Sequence, residues 1–146
     1  MDKCVVKKEI SESRKKVWNY LTDFHHMPRW FFSQIPSFEP KIDFKTKFEV
    51  TSGERVFTHL WEIVEVEEER CIKYRWQYEE YIDIESFVTF ELFDLTANKT
   101  ELVITFEGIE AYPKNIPEFT LESCRNGWEY FAEELNKYSL ENGSSF

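Results

Sequence analysis

The end of the chain restricts the fold most. Between Pro117 and about Leu140, apolar residues Cys124, Trp128, Phe131, Leu135 and Tyr138 recur at steps of four, three, four and three. Glu122, Arg125, Glu129, Glu133 and Lys137 fall on the opposite side. That spacing predicts one long amphipathic α-helix. Pro117 suits its first turn, where a missing N–H costs nothing, and Asn142-Gly143 supplies its end. At 1.5 Å per residue such a helix is about 35 Å long, enough to cross a small sheet. Its apolar stripe must be covered by something of matching size.

The matching surface lies upstream, where the period changes to two. Val5–Ile10 reads as a first strand. Lys47–Thr51 places Phe48 and Val50 on one side, and Ser52-Gly53 turns the chain into a long strand from Arg55 to Val66. After the turn at Glu67–Arg70, Cys71–Tyr78 sets Ile72, Tyr74 and Trp76 on one face. Glu85–Leu95 does the same with Val88, Phe90 and Leu92, and Thr100–Glu107 with Leu102, Ile104 and Phe106. Between the first two strands, Ser11 or Ser13 can cap a helix whose face is Val17, Trp18, Leu21 and Phe24. Asp23 can start a second short turn that Pro28 limits and Arg29–Phe32 closes, and Ser33–Thr46 reads as an ordered loop. The order is one strand, two short helices, about five meandering strands and a long helix. The fold class is α+β: a curved antiparallel sheet of about six strands around the C-terminal helix. We expect a single domain over 1–146, with a core of about 3–141 and a flexible tail at 142–146.

Charge narrows the partners. The 18 basic residues against 28 acidic ones give a net charge of −10, which repels phosphate and argues against nucleic acid. The acidic groups Glu62–Glu69 and Glu79–Glu85, and the basic stretch Lys3–Lys16, read as solvated faces. Neither a signal peptide nor an apolar run long enough for a membrane span is visible. Cys4, Cys71 and Cys124 are odd in number and widely spaced, so three free thiols and a cytoplasmic location are expected.

The residues assemble no catalytic set. His25-His26 point apart on a helix and lack a third ligand at metal spacing, with His59 distant. No base is recognisable beside any cysteine, and nucleotide and hydrolase fingerprints are missing. No cofactor or metal is expected, and the chain reads as a binding protein rather than an enzyme. What stands out is the aromatic content: 14 Phe, 7 Tyr and 5 Trp. Trp30, Phe48, Trp61, Tyr74, Trp76, Phe90, Phe106, Trp128, Phe131 and Leu135 are the candidate lining of a space beneath the long helix. They can equally form a filled core.

Val17–Asp23 followed by Arg29-Trp30-Phe31 resembles the opening motif of the SRPBCC (START-like) superfamily. The closer resemblance is to the branch related to the C-terminal domain of the activator of the 90-kDa heat-shock protein ATPase. Glu62–Trp76, Ser86–Leu92 and Gly127-Trp128 with Leu135 and Tyr138 resemble that branch in order, so the likeness runs from about Val5 to Leu140. Pro28, Lys45-Thr46 and the bulky Trp61 depart from its usual pattern. The resemblance implies a helix-grip fold, as in the birch-pollen allergen, with a cavity between sheet and helix. It carries no shared catalytic residues.

Three functions are compatible with this reading. The favoured one is binding of a small hydrophobic or aromatic ligand, a lipid included, in that cavity. The alternative is a chaperone-interacting protein module. A cyclase or hydrolase is the third, since some superfamily members are enzymes. With 146 residues, the chain is expected to leave no room for the partner domain that accompanies the eukaryotic activator, which weighs toward the ligand.

Overall fold

A computed structural model describes residues 3–143. Strand β1 (Lys3–Ile10) leads into helices α1 (Arg14–Thr22) and α2 (Met27–Trp30). Strands β2 (Lys45–Ser52), β3 (Arg55–Glu67), β4 (Cys71–Tyr78), β5 (Ser86–Thr96) and β6 (Lys99–Glu107) follow, and helix α3 (Leu121–Gly143) closes the chain. The strands form one antiparallel sheet in the order β1-β6-β5-β4-β3-β2, with β1 and β2 at its edges. This is the expected helix-grip topology.

Local chemistry explains most boundaries. Ser13 caps α1 by accepting from the Lys16 N–H at 3.3 Å. Asp23 accepts from the His25 N–H at 2.9 Å and turns the chain toward α2. Pro28 lies at the start of α2, so it opens that helix instead of limiting it; a helix start has no N–H bond for proline to break. Gly53 supplies the left-handed residue of the β2–β3 hairpin, with φ 61°. Phe24 falls beyond α1, which ends at Thr22.

Other boundaries differ from the sequence expectation as well, among them that of β1, which begins at Lys3 and not at Val5. β2 begins at Lys45, two residues early, because its pairing with β3 starts at Lys45 opposite Glu62. α3 begins at Leu121, not near Pro117. Pro117–Phe119 forms a separate 3-10 turn, and Thr120 caps the helix by accepting from the Ser123 N–H at 3.1 Å. At its other end α3 continues through Asn142, whose side chain donates to the Tyr138 carbonyl at 2.8 Å. Of the expected tail, 144–146 lie outside the described residues.

The alternation of β4, β5 and β6 directs Ile72, Tyr74, Trp76, Val88, Phe90, Leu92, Leu102, Ile104 and Phe106 to the face that α3 covers, all buried. α3 answers with Trp128, Ala132, Leu135, Tyr138 and Ser139. Its charged side also holds it in place: Lys8 of β1 pairs with Glu133 at 2.5 Å, and Arg125 donates to the Val5 carbonyl at 3.1 Å. The Arg125 bond occupies an acceptor on the edge strand β1. All three cysteines are free, with Cys4 and Cys124 facing each other between β1 and α3. Among the described residues, no helix is long and apolar enough to cross a membrane.

Candidate functional site

The space between sheet and helix has two parts, and consecutive phenylalanines separate them. Phe31, just past α2, inserts between the layers. Its ring centroid lies 5.4 Å from Trp61, 6.1 Å from Phe90, 5.9 Å from Trp128 and 4.7 Å from Phe131. Tyr74 packs on Trp61 and Phe90 behind it, and Leu135 is fully buried. This part is filled. Trp30 sits at its margin, stacked on Phe31 at 4.8 Å with its indole N–H donating to the Tyr20 carbonyl at 2.7 Å.

Phe32 is only partly buried and walls an open cleft. The inner lobe, about 130 Å³, is lined by Phe32, His59, Trp76, Tyr78, Phe106, Ser123, Cys124, Gly127, Trp128 and Phe131. An outer lobe of about 310 Å³ shares Phe32, His59, Tyr78 and Gly127 and adds Val50, Ser52, Phe57, Glu118 and Phe119. Of the ten residues expected to line a space under the helix, the structure brings Trp76, Phe106, Trp128 and Phe131 to this cleft. Trp30, Phe48, Tyr74, Phe90 and Leu135 lie in the packed interior.

His59 is the polar centre of the cleft, and the sequence reading left it aside. Phe48 stacks on its ring at 4.9 Å, while Phe32, Trp76 and Tyr78 surround it at 5.1, 5.4 and 4.9 Å. Burial pushes its pKa down to about 4, against the smaller opposing effects of the Phe57 carbonyl and the Glu80 carboxylate. Nδ1 lies 3.0 Å from that carbonyl, so it carries the proton and leaves Nε2 as an acceptor. Strand parity in β3 was the one available signal, since it sets Thr58 and Leu60 on one face and His59 on the other with Phe57 and Trp61.

A second aromatic group closes the far end. Phe57, Tyr78, Tyr112 and Phe119 pack edge to face or tilted, with centroids 4.6 to 5.6 Å apart. The Tyr112 hydroxyl lies 3.0 Å from Ser86 Oγ, which donates to the Trp76 carbonyl at 2.5 Å. Burial raises Tyr112 to about 12, so both it and Tyr78 stay protonated near neutrality. Glu118, at the mouth, accepts from Ser52 at 2.8 Å and pairs with Arg55 at 3.5 Å; the Ser52 bond holds it below the usual carboxylate range.

A different depression, of about 410 Å³, lies across β2, β3 and β4 and is lined by Lys45, Lys47, Leu60, Trp61, Glu62, Arg75 and Gln77. Its charges are largely matched: Arg75 bonds Glu62, and Lys47 meets Glu79 at 2.7 Å. Trp61 thus contributes to this depression as well as to the packed interior. Among the described residues no group of three His, Cys, Asp or Glu is placed to hold a metal ion.

Residues 12–139 match the family model of the Activator of Hsp90 ATPase homolog 1-like proteins. No curated protein matches the chain. Among solved structures, a structural-genomics protein of Mesorhizobium loti is 22% identical, with a TM-score of 0.75 over 99% of this chain and 100% of that one. An HSP90 activator from Plasmodium falciparum is 24% identical, with a TM-score of 0.72 over 97% of this chain and 96% of that one. The Aha1 dimer from Colwellia psychrerythraea is 15% identical, with a TM-score of 0.70 over 99% and 100%. At these identities the likeness is one of fold.

Proposed function

We propose, from the premise that the chain belongs to the Activator of Hsp90 ATPase homolog 1-like family, that it is a protein-interaction module that engages an Hsp90-type chaperone and stimulates its ATPase. The observation that carries this reading is the extent of the family match, which takes in α1, the whole β2–β6 meander and α3 through Ser139. End-to-end likeness to proteins described as an HSP90 activator and as Aha1 supports it. So does the packing: Phe31 fills the middle of the space that a large internal ligand would need. The favoured reading of the bare sequence, a ligand-binding module, therefore takes second place.

The test is an ATPase titration. Added to the purified Hsp90-type chaperone of its own organism, the chain is expected to bind saturably and raise the turnover of ATP. Absence of both binding and stimulation would overturn the reading. The open cleft favours a second, compatible reading, in which a small apolar molecule enters beside Phe32.

A further inference from the structure

Strand β2 is a bare edge. Among the elements of the fold its substantial contacts are with β3 alone, whereas the opposite edge, β1, is covered by α3. Phe44, the residue before β2, accepts from the Ile63 N–H of β3 at 2.9 Å. From there the backbone bonds alternate. Thr46, Phe48, Val50 and Ser52 bond β3, while Lys45, Lys47, Glu49 and Thr51 direct their N–H and carbonyl groups outward. Among the described residues nothing bonds those outward groups. An edge left open in this way is a template for another strand.

The side chains say which strand. Edge lysines ordinarily keep foreign strands away, and Lys45 and Lys47 are both exposed. The same strand also carries Glu49, exposed and with no ion-pair partner among the described residues. A second copy of β2 can lie antiparallel to this one about a two-fold axis, with outward residues facing outward residues. Charge then separates the registers. An axis through Lys47 sets lysine against lysine, one through Glu49 sets glutamate against glutamate, and one through Thr46 sets Lys45 against Lys47. An axis through Phe48 sets Lys47 opposite Glu49 on both sides, Lys45 opposite Thr51 and Thr46 opposite Val50. It also pairs every outward N–H and carbonyl from Lys45 to Thr51. Lys47 meets Glu79 at 2.7 Å within its own chain, but both groups are exposed, so that bond is worth little and can be exchanged.

We propose that β2 is a self-association edge. Two copies of the chain pair β2 to β2 about an axis through Phe48, joining their sheets into one, with Lys47 of each copy bonded to Glu49 of the other. The lysines then act as register selectors, repelling other strands and other alignments. The contact is small, one strand from each copy, and the net charge of −10 on each copy works against it. The dimer is therefore a weak one, with a dissociation constant in the micromolar range or above. The inference stands apart from both the chaperone reading and the cleft.

Sedimentation equilibrium of the intact chain, taken up to millimolar concentration, is expected to fit a monomer–dimer equilibrium. Amide exchange at the two ends of that range should show protection gained at Lys45, Lys47, Glu49 and Thr51 in the dimer alone. Lys47→Glu and Glu49→Lys, each by itself, put like charges at both pairs and should weaken the dimer about tenfold. Mixed in equal amounts, the two variants regain opposite charges across the axis and should associate as the unaltered chain does. Both positions are exposed, so the thermal melts should stay cooperative. A chain that remains monomeric throughout would leave the edge to a strand of another protein and overturn the proposal. A dimer indifferent to either swap, or variants that fail to rescue each other when mixed, would place the contact elsewhere and overturn it too.

Discussion

Phe31 and Phe32 are neighbours in sequence and opposites in environment. Phe31 is buried against Trp61, Phe90, Trp128 and Phe131, so rings meet it from the sheet and the helix alike. Phe32 touches Phe48, His59 and Trp76 on the sheet side and Phe131 of α3 at 4.8 Å, but it is only partly buried, and the cleft it walls is bordered on α3 by Gly127. The same aromatic chemistry thus gives a packed core in one place and a cleft in the other. Phe131 of α3 meets both rings, so the difference is one of enclosure: Phe31 has rings on every side, while part of Phe32 borders the space beside Gly127, where no side chain supplies partner atoms.

Truncation tests that contrast most strongly. Phe31→Ala is expected to cost about 3–5 kcal/mol, as for a large ring removed from a filled interior. Phe32→Ala should cost clearly less, because part of its ring already lacks packing partners. Chemical denaturation of both variants measures the difference, and equal losses would erase the distinction between the two regions.

Acid probes the cleft next. His59 has a folded-state pKa of about 4, below the 6.5 of an ordinary histidine, because burial disfavours its charge. Above pH 6.5 it is neutral in both states and has no effect on stability. Between pH 6.5 and about 4 the unfolded chain takes up a proton that the folded one refuses, so stability falls as pH drops. The loss approaches about 3 kcal/mol at the lower end. His59→Leu should flatten the stability profile within that window, as read from denaturation midpoints. A profile unchanged by the substitution would show that His59 is not held neutral.

The two described glycines on either side of the α3 start give the smallest effects, of opposite sign. Gly108 has φ 102°, and a Cβ there would lie 2.9 Å from the Glu85 carbonyl oxygen, so Gly108→Ala should cost about 1–3 kcal/mol. Gly127→Ala meets open space in a regular helix and should stabilise by up to about 1 kcal/mol. Thermal melts report both, and a destabilising Gly127→Ala would mean that the mouth of the cleft is tighter than it looks.

Much of this was legible in the residues. Strict alternation in Cys71–Tyr78, Ser86–Leu92 and Thr100–Glu107 identified the inward faces of three strands, because a pleated strand has only two sides. The four-three spacing of Trp128, Phe131 and Leu135 did the same for α3. The places of Phe31, Phe32 and His59 between sheet and helix were not legible, for a physical reason. Two of them sit where a short helix ends and no period applies, and a lone histidine in a strand does not announce which rings will enclose it.

The sequence by itself determined the architecture: six antiparallel strands, the long covering helix and the face each presents. These follow from local periodicity and from the need to bury apolar surface. Only the tertiary structure decided where that surface closes and where it stays open. A void is a property of two elements at once, here Phe32 with His59 and Tyr78 on one side and Gly127 on the other. Residues 32 and 127 meet only after the whole sheet has formed between them.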